Sequence, residues 1–286
     1  MQHTQPLSTD TANKRHNYTH FHPQTLGRDA KLVMQIVGPL PGEKAPDFTL
    51  PDTEGHNWRL SELQGKPVVL IFGSGTCPMT TGSLPGLNQL YQEMGDDAQW
   101  LMVYVREAHP GEDMPAHETH EQKRNQAQRM RNEENIAWPV LIGELDGHTH
   151  QAYTELPNHI FLIDREGYVA FRGEFAHAPT LYTALSQLEA QDGLGPVSPS
   201  LDRSMHMLGA TAYGWRGPRR GGKVSMEDLV RGAPPLAANL KMGEMMQPLL
   251  APLASRSRPL PTSTKVAMAV GALGVAALAW RKFQQR

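Results

Sequence analysis

Two apolar runs, 68–72 and 100–105, stand on either side of a segment with helical spacing, and together they leave few folds open. A strand that faces water on one side alternates apolar with polar residues. Runs without that alternation are expected of strands buried on both faces of a parallel sheet. Between the two runs, Leu84, Leu87, Leu90 and Tyr91 recur at helical spacing. A strand–helix–strand unit of this kind crosses over right-handed and lays its strands side by side and parallel.

The neighbouring segments extend that unit. Residues 48–50 and 58–60 flank Asp52-Thr-Glu-Gly55, which reads as a β-hairpin with turn chemistry at its tip. After the second run come a polar helix (120–135), a strand (138–142) and a short helix (150–156). A second hairpin follows, 160–163 and 168–171 around Asp164-Arg-Glu-Gly167, and then a helix with Leu181, Leu185 and Leu188 on one face. This order predicts an α/β domain over residues 41–191, a thioredoxin-like fold with an N-terminal β-hairpin extension.

The flanks read differently. Residues 1–40 are polar and are expected to be a mostly disordered tail, with a short apolar patch at 32–37 docking on the domain. They lack the apolar run of a secretory signal, so the domain is expected in the cytoplasm. Residues 192–265 are rich in Gly, Pro, Ser and Arg and read as a flexible linker. Residues 266–280 carry no charge and are followed by Arg281 and Lys282. As a helix they reach about 23 Å, short of a bilayer core of about 30 Å. Thr262 and Thr264 extend the stretch and Trp280 supplies an interfacial anchor, so 266–282 reads as a C-terminal membrane helix. Ala267 and Gly271 have the small-xxx-small spacing of paired helices and suggest a homodimer. A soluble apolar helix packed on the domain is the other reading.

The net charge of −2 and pI of about 6.7 give no reason to expect nucleic acid as a partner. The chain has one cysteine, which excludes an internal disulfide and a cysteine zinc site. Cys77 lies in Phe72-Gly-Ser-Gly-Thr-Cys-Pro78, directly after a strand. Gly73 and Gly75 permit a tight turn, and Pro78 suits the first turn of a helix. Cys77 is therefore expected at a helix N-terminus, where the dipole and free N–H groups favour the nucleophilic thiolate. A structural cysteine belongs more naturally inside a strand or on an apolar helix face. Thr80 stands where the second cysteine of an exchange pair would be, so an outside thiol, such as glutathione or a thioredoxin, must resolve an oxidised Cys77. No cofactor is expected. Pro157, ahead of the strand at 160–163, is expected to be cis and to face the cysteine. The pairs His148/His150 and His117/His120 have metal-compatible spacing but no evident third ligand, so no metal is expected.

Phe72-Gly-Ser-Gly-Thr-Cys-Pro78 and Val103-Tyr-Val-Arg-Glu-Ala-His-Pro110 together resemble the iodothyronine deiodinase family and its bacterial relatives. The resemblance continues weakly through 115–131, Trp138-Pro-Val-Leu-Ile142 and 168–173, about half the chain. It implies that Cys77 takes the place of the animal enzymes' catalytic selenocysteine, and that Glu107 and His109 line the site. His117 matches a second family histidine, with His120 as its rival. The implied chemistry is reductive dehalogenation of a phenolic ring: histidines supply protons or polarise the halogen, the sulfur takes it, and an external thiol regenerates the enzyme. Thr76, Pro78, Thr80 and Pro157 would shape the pocket for a small-molecule substrate. His109 also lies beyond the C-terminal edge of a strand, where open α/β sheets bind ligands. A histidine titrating near neutrality there would hold the thiolate and donate a proton. Glu107 would orient His109 or cap the loop. The loops Gly111-Glu-Asp-Met114 and Gly173-Glu-Phe-Ala-His-Ala178 depart from the family, which points away from an iodothyronine as substrate. A one-cysteine thiol peroxidase lacking the usual P-x-x-x-T-x-x-C signature, and a membrane-tethered binding module without catalysis, are the alternatives.

Overall fold

The computed structural model describes residues 16–35, 37–199, 203–261 and 263–264. Helix α1 (Pro23–Met34) is followed by β1 (Thr49–Pro51) and β2 (Asn57–Arg59), an antiparallel pair. Then come β3 (Val68–Gly73), α2 (Pro78–Met94), β4 (Gln99–Tyr104), α3 (His120–Glu133) and β5 (Val140–Ile142). The domain closes with α4 (His148–Tyr153), β6 (His159–Ile163), β7 (Val169–Gly173) and α5 (Ala178–Glu189).

Five strands form one sheet in the order β5-β4-β3-β6-β7. β3 pairs parallel with β4, and β4 with β5, while β6 is antiparallel to both β3 and β7. This is the thioredoxin-like arrangement expected from the order of elements. The two-residue period of a strand divides β3 between two cores. Val69 and Ile71 pack with Leu84, Leu87, Trp100 and Leu181 on one face. Val68, Leu70 and Phe72 pack with Phe48, Leu101, Tyr153 and Phe161 on the other. The Asp52 carboxylate accepts from the N–H groups of Glu54 (2.8 Å) and His56 (2.9 Å) and from the Trp58 indole (3.0 Å), which fixes the N-terminal hairpin's turn. That hairpin covers the exposed edge of β5 through a Thr53 N–H donated to the Val140 carbonyl at 3.0 Å.

Both flanks depart from the expectation. Residues 203–254 are not a linker. They form α6 (Arg203–Tyr213), α7 (Arg216–Gly221), α8 (Lys223–Gly232), α9 (Pro234–Met245) and α10 (Gln247–Ala254). The glycines and prolines that suggested flexibility have structural uses. Pro234 occupies the first turn of α9. Gly82 and Gly209 let α2 and α6 touch, since a Cβ on Gly82 would sit 2.5 Å from the Ala210 backbone. Nor is the N-terminal segment a disordered tail from His16 onward. Phe21 is buried with Trp215, Leu229 and Leu240 in a third apolar cluster. His20 Nδ1 lies 2.9 Å from the Asp228 carboxylate of α8. Residues 266–282 lie outside the described residues. Among the described residues, no helix is long and apolar enough to cross a membrane.

Candidate active site

Cys77 caps the N-terminus of α2, with Pro78 in its first turn. The Cys77 N–H donates to the Ser74 carbonyl at 3.4 Å, closing the turn that leaves β3. The position is the one the sequence predicts, but the side chain is only 3 % exposed. Burial therefore dominates and pushes the thiol above its ordinary pKa; hydrogen bonds from Thr80 and Met79 pull it down without prevailing, and Asp29 adds to the rise. The expectation of a thiolate at neutral pH is thus reversed by desolvation.

The sulfur is not sealed away. Cys77 lines a mostly apolar cavity of about 240 Å³ together with Pro78, Ala108, His109 and Pro157. Three parts of the chain build its walls: the loops of the sheet domain, Phe21 and Asp29 from the N-terminal segment, and Met207 and Leu236 from the C-terminal helices. His109 carries a second correction. Burial, with the positive charge of Arg106, lowers its pKa to about 3, and Glu107 opposes only weakly. The imidazole is neutral at pH 7, its Nδ1 has no hydrogen-bond partner, and its ring lies 4.3 Å from that of Phe21.

Glu107 neither orients the His109 imidazole nor caps a loop alone. Its carboxylate accepts from the Thr76 N–H (2.8 Å), the Thr76 hydroxyl (2.6 Å) and the Tyr104 hydroxyl. The Thr76 oxygen in turn accepts the His109 backbone N–H at 3.0 Å. Glu107 thus fixes the cysteine loop and the start of the histidine loop through one threonine. His117 Nε2 lies 3.6 Å from Glu107 Oε1, within ion-pair range but too long for a hydrogen bond. Burial raises the Glu107 pKa, but His117, Thr76 and Tyr104 outweigh it and hold the carboxyl below its usual range. His117 is buried behind Glu107 and is not part of the cavity wall, whereas its rival His120 is exposed at the start of α3.

Thr80 and Pro157 are in contact, the Thr80 hydroxyl donating to the Pro157 carbonyl at 3.2 Å. The peptide bond before Pro157 is trans, not cis, since no cis bond occurs among the described residues. His150 holds the Leu156 carbonyl at 2.8 Å, and Thr154 accepts the Leu156 N–H at 3.1 Å. Those two contacts turn the chain into β6 with a trans bond. Among the described residues, no three His, Cys, Asp or Glu side chains converge as metal ligands would.

Several residues around the site received no role from the sequence. Arg220 of α7 donates to the Gly75 carbonyl at 2.6 Å, in the turn before Cys77, and pairs with Glu133 and Glu134 at the end of α3. Gly217 lets α7 approach this turn, because a Cβ there would sit 2.9 Å from the Thr76 carbonyl. Arg106 is buried, and Tyr104 is the one hydroxyl in the run 100–105. A polar group at the end of an otherwise apolar strand was the available signal for Tyr104. Arg220 had none.

Residues 41–172 match the AhpC/TSA family. The type I iodothyronine deiodinase of Xenopus laevis is 28% identical over 145 residues, which are 46% of this chain and 56% of that protein. The type II iodothyronine deiodinase of Rattus norvegicus is 36% identical over 90 residues, 30% of this chain and 34% of that protein. The chain carries a deiodinase-like redoxin domain. This redoxin spans only 56% and 34% of those two relatives' own lengths. Among solved structures it is similar to a peroxidoxin from Mycobacterium tuberculosis, at 21% identity and a TM-score of 0.41, over 53% of this chain and 97% of that one. The flanking helices of the redoxin, beyond residue 172, lie outside the family match.

Proposed function

We propose that this redoxin is a thiol-dependent reductase that removes a halogen from an aromatic ring, using Cys77 as its single working sulfur. The observation that carries the reading is the shared wall: Cys77 and His109 both face one apolar cavity at the N-terminus of α2. Both groups are neutral at rest, a thiol and an imidazole with a bare nitrogen in the wall of one cavity. His109 takes the thiol proton as the sulfur attacks the halogen. The carbon–halogen bond breaks, its electron pair stays on the ring carbon, and that carbon takes the proton from His109. The sum is Ar–X + Cys–SH → Ar–H + Cys–S–X. Two molecules of an external thiol complete the cycle: Cys–S–X + 2 RSH → Cys–SH + RS–SR + HX. Glu107, Thr76 and Tyr104 are positioning residues in this scheme.

The test is halide release from a 2-iodophenol with dithiothreitol as reductant. Cys77→Ser abolishes it, and His109→Ala slows it by about 10²–10⁴-fold, the usual weight of a general acid–base group. Release that persists in Cys77→Ser, or none from the intact chain, ends the proposal. The match of residues 41–172 to the AhpC/TSA family favours a second reading, a thiol peroxidase. There the step is Cys–SH + ROOH → Cys–SOH + ROH, followed by Cys–SOH + 2 RSH → Cys–SH + RS–SR + H₂O. Trapping of a Cys77 sulfenic acid by stoichiometric peroxide, with no halide release from the phenol, would select it.

A further inference from the structure

Segment 16–35 adds no strand to the sheet, yet it forms one wall of the Cys77 cavity through Phe21, Asp29 and Val33. Few and separate contacts tie it down. The Asn17 side chain spans the His117 peptide, accepting its N–H at 3.2 Å and donating to its carbonyl at 2.5 Å. The Tyr18 hydroxyl donates to the Ala108 carbonyl at 2.7 Å and accepts from Arg106 at 2.8 Å. Asp29 meets Arg106 at 3.4 Å, and His20 meets Asp228 of α8 at 2.9 Å.

The segment begins with an imidazole in a place that does not suit a charge. His16 is 6 % exposed. Gly147, at a φ of 73°, leaves room for its ring, which a Cβ there would overlap. The ring of His150 in α4 lies 5.3 Å away. His16 Nε2 has no hydrogen-bond partner, and neither does Nδ1 of His150, whose Nε2 is committed to the Leu156 carbonyl. The charges that bear on His16 are positive or become so: Arg106 after β4, Lys123 of α3, Arg28 of α1 and His117. Lys123 is itself buried, donating to the Glu144 carbonyl at 3.1 Å, with the carboxylates of Glu144, Glu107 and Asp146 as its counter-charges. A proton added to His16 thus meets cations and no acceptor at Nε2. Burial and those cations hold its pKa at about 3. In water the same imidazole returns to about 6.5.

We propose that segment 16–35 is an acid-released strap: protonation of His16 frees it from the sheet domain and opens the Cys77 cavity to solvent. The device controls access whichever reaction Cys77 performs, so it goes beyond the reductase reading and does not depend on it. The closed form binds fewer protons than the open one, so closure is complete above pH 6.5 and gives way as the pH falls toward 3. Two contacts oppose release in mild acid. A protonated His20 is held by the Asp228 carboxylate, but His20 is half exposed and the pair is weak. Asp29 reaches Arg106 through one nitrogen only. His109, whose bare Nδ1 lies in the wall beside Phe21, also titrates at about 3 and gains from the same opening.

The experiment follows the reaction of Cys77 with 4,4′-dithiodipyridine in the full chain from pH 7.5 to pH 5.5, above the ordinary carboxylate range. Each rate is divided by that of a small free thiol at the same pH. With His16 at about 3 closed and about 6.5 open, the open fraction is expected to rise at least about tenfold across this window. His16→Phe, which keeps a ring and removes the titrating nitrogen, is expected to rise about tenfold less. Asn17→Ala keeps His16 and cuts the tie to the His117 peptide. It is expected to speed the reaction about tenfold at pH 7.5, the weight of the lost hydrogen bonds. A flat native profile overturns the proposal, as does a rise that His16→Phe leaves intact. Should His16→Phe fail to fold, Asn17→Ala decides: an unchanged rate shows that the segment is not the gate. A native rise that tracks the loss of far-UV circular dichroism reports unfolding of the whole chain and also overturns it.

Discussion

The sheet domain and the segments that flank it are held together by different means, yet they enclose the same sulfur. The sheet domain is built on continuous apolar strands, with β3 buried along its whole length. The flanks have one small apolar cluster of their own and otherwise hold on through close backbone approaches and isolated polar anchors. The contrast teaches that the placement of Cys77 and His109 comes from the first region, whereas part of the wall around the thiol comes from the second. Cys77, His109 and Glu107 are placed by strand ends; Phe21, Asp29, Met207 and Leu236 line the cavity that Cys77 and His109 share.

The comparison breaks most visibly at Arg220. Its removal in Arg220→Ala leaves buried Glu134 with only the more distant Arg216, at 3.8 Å, and is expected to cost about 3 kcal/mol. Denaturant unfolding followed by Trp fluorescence measures it, and Cys77 alkylation should accelerate because the helices come away from the Gly75 turn. An unchanged alkylation rate would show that the flank does not control access. Leu240→Ala, in the flank's own cluster, is expected to cost about 2–5 kcal/mol. Here the loss should appear as early release of the flank, with the sheet domain unfolding at its original denaturant concentration. A single shifted transition would mean that the two regions are one cooperative unit.

How much of this was legible follows from the same division. The apolar runs 68–72 and 100–105 announce their strands because burial on both faces leaves no room for polar residues. Cys77 announces its place because Gly73, Gly75 and Pro78 serve only a strand–turn–helix junction. The flank was misread because Gly209, Gly217 and Gly221 are also what a loose chain would carry. Only the neighbours they approach, Gly82, the Thr76 carbonyl and the His109 carbonyl, distinguish close packing from flexibility. Charge states were illegible for a related reason. A helix N-terminus lowers a thiol's pKa, but how far burial raises it depends on side chains far away in sequence.

Acid sharpens the comparison by acting on both regions. The folded pKa values of His16, on the flank, and of His109 and His159, in the sheet domain, lie at about 3, below the 6.5 of an unhindered imidazole. The unfolded chain therefore binds more protons between those values. Stability is complete above pH 6.5 and drains as the pH falls toward 3, by about 2 kcal/mol per histidine at pH 5. A melting temperature independent of pH from 7.5 to 5 would contradict this. The smallest effect belongs to a cap in the sheet domain. The Thr119 hydroxyl accepts the Gln122 N–H at the start of α3, so Thr119→Ala is expected to cost about 1 kcal/mol. It should leave Cys77 alkylation as it was, in contrast to Arg220→Ala.

The reach of Arg220 back to the Gly75 carbonyl also has a consequence in time. A polypeptide leaves the ribosome N-terminus first, at about 5–20 residues per second. The whole sheet of the redoxin is therefore available for folding a few seconds before the arginine that tethers its cover has been made. In that interval a newborn molecule holds its cysteine nearer to water, less shielded and easier to oxidise, than it will ever be once synthesis is complete.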